Sequence, residues 1–274
     1  MSNAQLQQIL EVNQKQKEFY NHRGHSYKGV VSKTWAWLRQ HTLSGFTQAA
    51  GIKDRVYNQH MEWMGDLSNK RVLDLGCLEG NRLSFYLAEH AAYYLGIDLS
   101  DKAIEKFREK LDKKGLQKAH VMAVDFLSPQ FAEGEFDLIY AYGVLHHFPD
   151  LKILTDKLNE KLAPGGQIIA YDPLQTSTPI RIMRALYRPF QTDKDWEWPF
   201  TAKTLEWFAS QFTVKAAHGM LGKSKYGLLV NLLPAGRGFK NRWISKAVKA
   251  DWDATMDSRK MLSCMHLTML LQKK

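Results

Sequence analysis

The segment that most constrains the fold covers residues 72–80 and reads VLDLGCLEG. An apolar run that ends at an acid and then breaks at glycines predicts a buried strand that turns sharply into a helix. Glycine allows left-handed backbone angles and the close approach of a ligand to the main chain. The amide groups at the start of the next helix, near Asn81, point to the same place. The segment therefore predicts a βα turn that can hold a nucleotide-like ligand.

The residues that follow this turn alternate between strand-like and helix-like segments. Predicted strands cover residues 71–75, 93–98, 120–125, 136–142 and 167–172, and predicted helices cover residues 82–91, 101–114 and 149–162. Strands that alternate with crossover helices favour a parallel, doubly wound sheet, because right-handed crossovers cover both of its faces. In such a sheet, ligands bind beyond the carboxyl ends of the strands.

An aspartate stands at the end of each of the first three predicted strands: Asp74, Asp98 and Asp125. A single aspartate after a strand is often a turn former or a helix cap, but three in equivalent places favour a ligand site. An acid about twenty residues after a glycine turn can accept hydrogen bonds from both ribose hydroxyls, so we assign that role to Asp98. Asp125, which Phe126 follows, is a candidate acceptor for an adenine amino group.

Length and composition are typical of one large α/β domain with additions. The chain has 274 residues, 45% of them hydrophobic, and no apolar run reaches the roughly 20 residues of a membrane span. Residues 1–20 are polar, unlike a signal peptide, so we expect a cytoplasmic protein. Cys77 and Cys264 lie far apart in apolar segments. Buried thiols are therefore expected rather than a disulfide or a metal pair, and we expect no bound metal.

Charge is distributed unevenly along the chain, whose formal net charge is +10. Residues 72–172 contain eleven Lys/Arg and sixteen Asp/Glu, whereas residues 215–274 contain twelve Lys/Arg and three Asp/Glu. A nucleic acid, an anionic membrane surface or an acidic substrate would suit the basic C-terminal region. A solvated basic face is the other interpretation, because no aromatic-rich RNA-binding signature accompanies it.

In their order along the chain, these motifs resemble those of the class I S-adenosylmethionine-dependent methyltransferases. The resemblance covers about residues 70–172, and one departure is Leu78, where the family usually has a glycine. The matching segments are residues 72–80 (the first motif), 96–100 (the second-strand acid), 124–126 (the adenine-contacting turn), 136–148 (the fourth-strand motif) and 158–166 (the turn before the fifth strand).

The resemblance implies an α/β fold with a Rossmann-like, doubly wound, seven-stranded sheet. The sheet would be mostly parallel with an antiparallel last strand, and N-terminal helices and a helical cap would be added to it. The implied cofactor is S-adenosyl-L-methionine. The residues expected to bind it are Asp74, Gly76, Cys77, Gly80, Asp98, Leu99, Asp125, Phe126 and Tyr142.

The family's chemistry is displacement at a methyl group that a positive sulfur already activates. The protein must mainly align the nucleophile, the methyl group and the sulfur, and a base helps when the acceptor is a hydroxyl or an ammonium. His146 and His147 follow the fourth predicted strand, where the methyl group is expected. They are our candidates to orient or deprotonate the acceptor, and the alternative is that one of them packs against or caps the next helix.

Segments outside the core are expected to cover the site. We predict an N-terminal helical segment or lid over residues 1–69, and a methyltransferase domain over residues 70–274 with cap insertions at about 174–200 and 219–260. Arginines at positions 181, 184 and 188 share one face of a predicted helix, where they would favour a carboxylate or phosphate on the acceptor or remain solvated. The substrate-binding candidates are Tyr20, Tyr27, Arg181, Arg184 and Trp196.

These features favour methyl transfer to a small apolar or aromatic acceptor, with O-, N- or C-methylation left open. A nicotinamide enzyme would need Gly-x-Gly-x-x-Gly around a pyrophosphate, which Glu79 would repel. An RNA methyltransferase using the basic C-terminal region is one alternative, although no Asn-Pro-Pro-Tyr or Asp-Pro-Pro-Tyr signature occurs. A peripheral membrane enzyme acting on a quinone or lipid, with residues 228–249 at the bilayer, is another. The oligomeric state stays open.

Overall fold

A seven-stranded sheet forms the centre of the computed structural model, which describes residues 3–22, 50–190 and 194–274. The strand order is β3-β2-β1-β4-β5-β7-β6. Strands β1 to β5 pair in parallel, and β7 is antiparallel to both of its neighbours. The predicted doubly wound sheet with an antiparallel last strand is therefore confirmed. The strands are β1 Arg71–Leu75, β2 Tyr93–Asp98, β3 His120–Ala123, β4 Phe136–Tyr142, β5 Leu162–Pro173, β6 Phe212–Met220 and β7 His266–Lys273.

Helices follow the strands in the predicted alternation. The hydroxyls of Ser100 and Thr201 cap the helices that start after them. Asn81 and Asp150 cap two further helices in the same way. The helices are α1 Asn3–Asn21, α2 Ile52–Met64, α3 Arg82–His90, α4 Asp101–Lys113, α5 Leu151–Lys161, α6 Thr178–Tyr187, α7 Ala202–Gln211, α8 Gly227–Leu232 and α9 Arg237–Trp252.

Two helical layers bury the two faces of the sheet. Helices α2, α3 and α4 contribute Tyr57, Leu83 and Phe107 to one apolar core, while α5 and α7 contribute Leu154 and Phe208 to the other. Burial of each such side chain contributes about 1.5–3 kcal/mol relative to exposure. Because both faces are covered in this way, a polar ligand can reach the sheet at the ends of its strands.

The boundaries of two strands differ from the predicted ones. Strand β3 ends at Ala123, so Asp125 lies two residues beyond it rather than at its last position. Strand β5 begins already at Leu162, and the predicted Pro-Gly-Gly turn is a bulge within it: Leu162 pairs with Phe136, and the next pair is Gln167 with Leu138. The bulge keeps the chain extended while it absorbs the additional residues.

The long connection between β6 and β7 contains helices α8 and α9, of which the sequence pattern gave no indication. The C-terminal half of α9 packs on β6, and the carboxylate of Asp251 accepts hydrogen bonds from the backbone N–H groups of Gly222, Lys223 and Ser224 at 2.9, 2.6 and 2.8 Å. Asp251 thus fixes the loop after β6 to α9. In the parts of the chain described here, no helix combines the length and the apolar character needed to cross a membrane.

Candidate active site

The loop between β1 and α3 turns at two glycines, Gly76 and Gly80, where the surrounding atoms leave no room for a side chain. Gly76 has a φ of 72°, and its N–H donates to the carbonyl of Ile97 at 2.9 Å. A Cβ at Gly76 would lie 2.6 Å from the Val144 side chain, and one at Gly80 would lie 2.3 Å from the ring of Phe107. Both glycines therefore allow the loop to sit tightly between the end of β4 and helix α4.

Asp74 and Cys77 lie beneath this loop. The carboxylate of Asp74 accepts a hydrogen bond from the Tyr94 hydroxyl at 2.8 Å, and burial raises its pKa to about 6. The Cys77 thiol is buried too, which raises its pKa, and Cys264 is likewise a buried free thiol, as predicted. The side chains of Asp74 and Cys77 support the turn from inside. The predicted binding of the cofactor by Asp74 and Cys77 stays a prediction.

Asp98 joins the glycine loop to the start of α4. One carboxylate oxygen accepts the N–H of Leu78 at 3.0 Å, and the other accepts the N–H of Ser100 at 2.9 Å. The side chain is 8% exposed and lies at the tip of β2, with Leu99 next to it. Its predicted contact with a ribose, and that of Leu99 with the cofactor, stay predictions.

Leu78 occupies the position where the family usually has glycine, and its backbone is strained. Its φ of 47° lies in the left-handed region, and its side chain is 37% exposed. That conformation costs a branched residue roughly 1–2 kcal/mol, whereas glycine adopts it without this cost. The N–H of Leu78 is held in place by Asp98, so the loop keeps a glycine-like path despite the substitution.

Helix α1 runs along the tips of β2 and β3 through one polar face. Asn13, Lys17 and Asn21 recur every four residues, so they lie on the same side of the helix. This spacing is the sequence signal that could have predicted the contacts of α1. Burial raises the pKa of Asp125, which also accepts the N–H of Leu127 at 2.9 Å. The contacts of α1 are Asn13 with Asp125 at 2.8 Å, Lys17 with Asp101 at 2.8 Å and Asn21 with Ser100 at 2.7 Å.

Two aromatic residues expected at the cofactor take different positions. The ring of Phe126 is buried in the core, 5.8 Å from the Phe131 ring and 6.0 Å from the Phe148 ring, and contact of Phe126 with the cofactor stays a prediction. Tyr142 ends β4 on the face that α2 covers. Its ring stacks on that of Tyr171 with 4.7 Å between centroids, and burial raises the pKa of its hydroxyl.

His146 is a buried residue bonded to Asp172, an acid at the end of β5 that the sequence analysis missed. The His146 Nδ1 lies 2.8 Å from Asp172 Oδ1, which also accepts the backbone N–H of His146 at 3.1 Å. Asp172 is completely buried, and burial raises its pKa. Because the carboxylate oxygen accepts both bonds, His146 is held as a packed, oriented residue. The signal for Asp172 was its place after a predicted strand, equivalent to that of Asp74 and Asp98.

His147 is oriented differently. Its Nδ1 lies 2.6 Å from the backbone carbonyl oxygen of Trp196, and a carbonyl can only accept, so Nδ1 carries the proton. In the neutral ring the acceptor lone pair is then on Nε2, which lies 3.5 Å from the Tyr20 hydroxyl at the end of α1. The bond of His146 Nδ1 to Asp172 likewise places the acceptor of His146 on Nε2, but His146 is buried, whereas His147 is partly exposed and its Nε2 faces Tyr20.

Tyr20 and Trp196 both contact His147, Tyr20 through its hydroxyl and Trp196 through its backbone carbonyl, and their binding of an acceptor stays a prediction. The Trp196 ring lies 5.0 Å from that of Phe19. Within the described part of the chain, the buried indole N–H of Trp196 has no hydrogen-bond partner, which costs about 1–3 kcal/mol. Helix α1 and the segment after α6 thus close over the end of β4. Tyr27 lies outside the described residues.

The two arginines expected at the acceptor bond to their own surroundings on α6. Arg181 is exposed and donates to the hydroxyl of Thr178 at 3.1 Å, and Arg184 donates from Nε to the carbonyl of Leu174 at 3.0 Å. Arg184 therefore ties α6 to the end of β5. Binding of an anionic acceptor by Arg181 or Arg184 stays a prediction.

Glu79 in the glycine loop does not present an uncompensated charge. Its carboxylate lies 2.8 Å from the ammonium of Lys106 and 3.0 Å from that of Lys110, and these contacts lower its pKa. The expected repulsion of a pyrophosphate is therefore largely screened. The spacing of the glycines, rather than Glu79, distinguishes this loop from a dinucleotide-binding one.

Comparisons with known proteins agree with this geometry. Residues 73–168 match a family model described as a methyltransferase domain. The ubiquinone biosynthesis O-methyltransferase of Aromatoleum aromaticum is 36% identical over 114 residues, which cover 39% of this chain and 47% of that protein. The sterol 24-C-methyltransferase erg6 of Aspergillus fumigatus is 30% identical over 41% of this chain and 30% of its own length. The chain thus spans half or less of these two relatives.

Solved structures share the fold at low sequence identity. The YcgJ protein of Bacillus subtilis superposes with a TM-score of 0.55 and 14% identity, over 81% of this chain and 98% of that one. The N-methyltransferase NodS of Bradyrhizobium japonicum, solved with S-adenosyl-L-homocysteine, gives a TM-score of 0.51 and 16% identity over 81% and 86%. The ordered motifs, the strand order and the methyltransferase domain matched at residues 73–168 together support a class I S-adenosylmethionine-dependent methyltransferase domain in this chain.

Proposed function

We propose that this chain transfers a methyl group from S-adenosylmethionine to an oxygen or nitrogen atom of a small apolar or aromatic acceptor. The observation that carries the proposal is the state of His147. His147 lies just beyond the end of β4; its Nδ1–H is held by the carbonyl of Trp196, so its Nε2 lone pair faces the Tyr20 hydroxyl at the end of α1. A neutral imidazole in this position suits an acceptor that must lose a proton as it is methylated.

The carboxylates at the strand tips fit the adenosine part of the cofactor. Asp98, at the tip of β2, is placed to accept from ribose hydroxyls, and Asp125 can accept from an amino group when Asn13 shares or leaves its oxygen. Two acids, rather than arginines and lysines, suit a ligand that has no phosphates. S-adenosylmethionine supplies, when bound, a methyl group activated by its positive sulfur.

The residues of this chain would then orient the acceptor and receive its proton. His147 accepts the proton at Nε2, and the carbonyl of Trp196 stabilises the imidazolium that results, through Nδ1–H. Tyr20 and Trp196 hold the acceptor near that nitrogen. Alignment of the reacting atoms and proton transfer to a positioned base both contribute to the rate, the latter by typically 10²–10⁴-fold.

The surroundings and the relatives support a small acceptor. Aromatic rings of Phe19, Trp196, Tyr142 and Tyr171 lie at this end of the sheet. The matched relatives are named as methyltransferases of ubiquinone biosynthesis and of sterols, and one solved neighbour binds geranyl diphosphate. Planar or extended apolar compounds with a hydroxyl group are therefore the first acceptors to examine.

The test is transfer of label from methyl-tritiated S-adenosylmethionine to a panel of phenols, catechols and quinols, with an extract of small metabolites as a further source. We expect label in a hydroxyl- or amine-bearing compound, and loss of transfer in His147→Ala. His90→Ala is the matched control, because His90 is an exposed histidine whose Nδ1 also bonds a backbone carbonyl, 2.8 Å away, on α3. Label that enters only RNA, or equal rates in the two variants, would contradict the proposal.

A further inference from the structure

The segment between β6 and β7 has a strongly one-sided charge. Residues 221–250 contain seven Lys/Arg and no Asp/Glu. Four large apolar side chains in the same segment are half exposed or more: Tyr226 at 50%, Leu229 at 62%, Leu233 at 50% and Phe239 at 52%. We refer to these four side chains, together with the basic residues Arg237, Arg242 and Lys246, as the α8–α9 surface.

Helix α9 is fixed to the sheet through its C-terminal half, and α8 also packs against it. Ala247 and Asp251 in its C-terminal half are buried, and Asp251 is bonded to the loop after β6. Phe239, Arg242 and Lys246 follow at spacings of three and four, so they share one side of the helix, opposite the buried residues. All three are exposed. The helix therefore presents an aromatic ring and two cations together to the outside.

This combination points to a lipid surface rather than to a nucleic acid. Apolar side chains ringed by Lys and Arg can enter the interface of a bilayer while the cations bind anionic headgroups. A nucleic acid would use the cations and an aromatic ring, but it would leave Leu229 and Leu233 exposed. In the described part of the chain, Arg237 and Lys246 form no ion pair, so their charge is uncompensated.

We propose that the α8–α9 surface docks this chain on an anionic lipid membrane. The inference goes beyond the proposed methyl transfer and adds one property to it, because an enzyme docked in this way can take its acceptor from the lipid phase. Docking does not itself require catalysis. It can be measured on the full chain without any acceptor.

The experiment is sedimentation with vesicles of phosphatidylcholine, with and without phosphatidylglycerol. We expect binding to the anionic vesicles that weakens as salt is added. The double variant Leu233→Ser with Phe239→Ser should bind roughly tenfold more weakly or worse. Replacing Arg242 and Lys246 with Gln should weaken binding roughly fivefold per charge.

The matched control is Ile182→Ser with Leu186→Ser, which removes two equally exposed apolar side chains, 57% and 71% exposed, from α6. It should bind vesicles as the unmodified chain does. Absence of sedimentation, equal losses in both double variants, or binding to RNA but not to vesicles would overturn the proposal. Titration of each variant with S-adenosylhomocysteine shows that it is folded, and failure of that titration in the unmodified chain would instead refute the proposed function.

Discussion

The two edges of the candidate site are assembled in different ways. At the carboxylate edge, formed by the tips of β1, β2 and β3, Asp98 and Asp125 each bond a backbone N–H only two residues further along the chain. At the histidine edge, formed by the tip of β4, His147 bonds residues 49 and 127 positions away, Trp196 and Tyr20. Each acid of the first edge is fixed by a local turn, to which Asp98 adds a bond to Leu78 and Asp125 one to Asn13, whereas the second edge exists only once distant segments have come together.

Helix α1 connects the two edges. Asn13 contacts the carboxylate edge and Tyr20 contacts the histidine edge, about two helical turns apart. An edge made of local turns should bind its ligand almost independently of the cap, whereas an edge made of distant contacts should depend on α1 and on the segment around Trp196. The two edges should therefore respond separately to mutation.

The largest expected effect is that of His147→Ala on turnover. Loss of a positioned base should lower the rate about 10²–10⁴-fold, while the affinity for S-adenosylhomocysteine stays the same because the carboxylate edge is untouched. Tyr20→Phe should lower the rate by less, since Tyr20 contacts His147 only at 3.5 Å. Initial rates and calorimetric titration measure the two quantities. A parallel fall in affinity would show that the edges are not independent.

Asp98→Ala should act on the other edge. Loss of the ribose acceptor should weaken binding of S-adenosylhomocysteine roughly 100-fold, since two charge-assisted hydrogen bonds are removed. The N–H groups of Leu78 and Ser100 also lose their acceptor, so the free energy of unfolding should fall by about 2 kcal/mol. Asp112→Ala, at an exposed position on α4, should change neither quantity. Unchanged affinity in Asp98→Ala would contradict its assignment.

His60 on α2, below the histidine edge, makes stability depend on pH. Thr268 donates its hydroxyl proton to the carbonyl of Ala170, so it accepts from His60 Nε2 at 2.6 Å, and burial lowers the pKa of His60 from 6.5 to about 3. The unfolded chain therefore binds a proton below pH 6.5 that the folded chain does not, and this contribution to stability is lost as the pH falls.

Relative to His60→Gln, the unmodified chain should lose about 2 kcal/mol of unfolding free energy between pH 7 and pH 5. Burial raises the pKa of Asp74 from 3.8 to about 6. Between those two pH values, this shift raises the free energy of unfolding as the pH falls, which is opposite to the effect of His60. That term is common to both proteins, so it cancels in the difference. Urea titrations at several pH values give this difference, and parallel curves for the two proteins would refute the neutral, buried state of His60.

The smallest expected effect is that of Leu78→Gly. Relief of the left-handed strain should be offset by the greater freedom of glycine in the unfolded chain, so the free energy of unfolding should change by less than about 1 kcal/mol. Affinity for S-adenosylhomocysteine should rise a few-fold as the exposed side chain leaves the loop. Leu78→Ala keeps the strained backbone and should gain less. Equal affinities in all three proteins would show that Leu78 does not face the ligand.

The acids of the carboxylate edge could be predicted from the sequence because each of them comes at the end of a predicted strand. The glycine turn and the acids after the first three strands are all read from residues a few positions apart. Sequence reasoning did not reach the bond between His146 and Asp172 or that between His147 and Trp196, because nothing near either histidine specifies a partner so far along the chain. Helix α9 was missed because its exposed N-terminal half has no apolar period.

The central claim is that adenosine lies across the tips of β1, β2 and β3. Hydrogen exchange of the full chain with and without S-adenosylhomocysteine tests it most directly. We expect slower exchange of backbone amides over residues 76–81, 98–100 and 125–127, and little change over residues 219–252. Protection confined to the latter segment, or no protection at all at saturating ligand, would contradict the account.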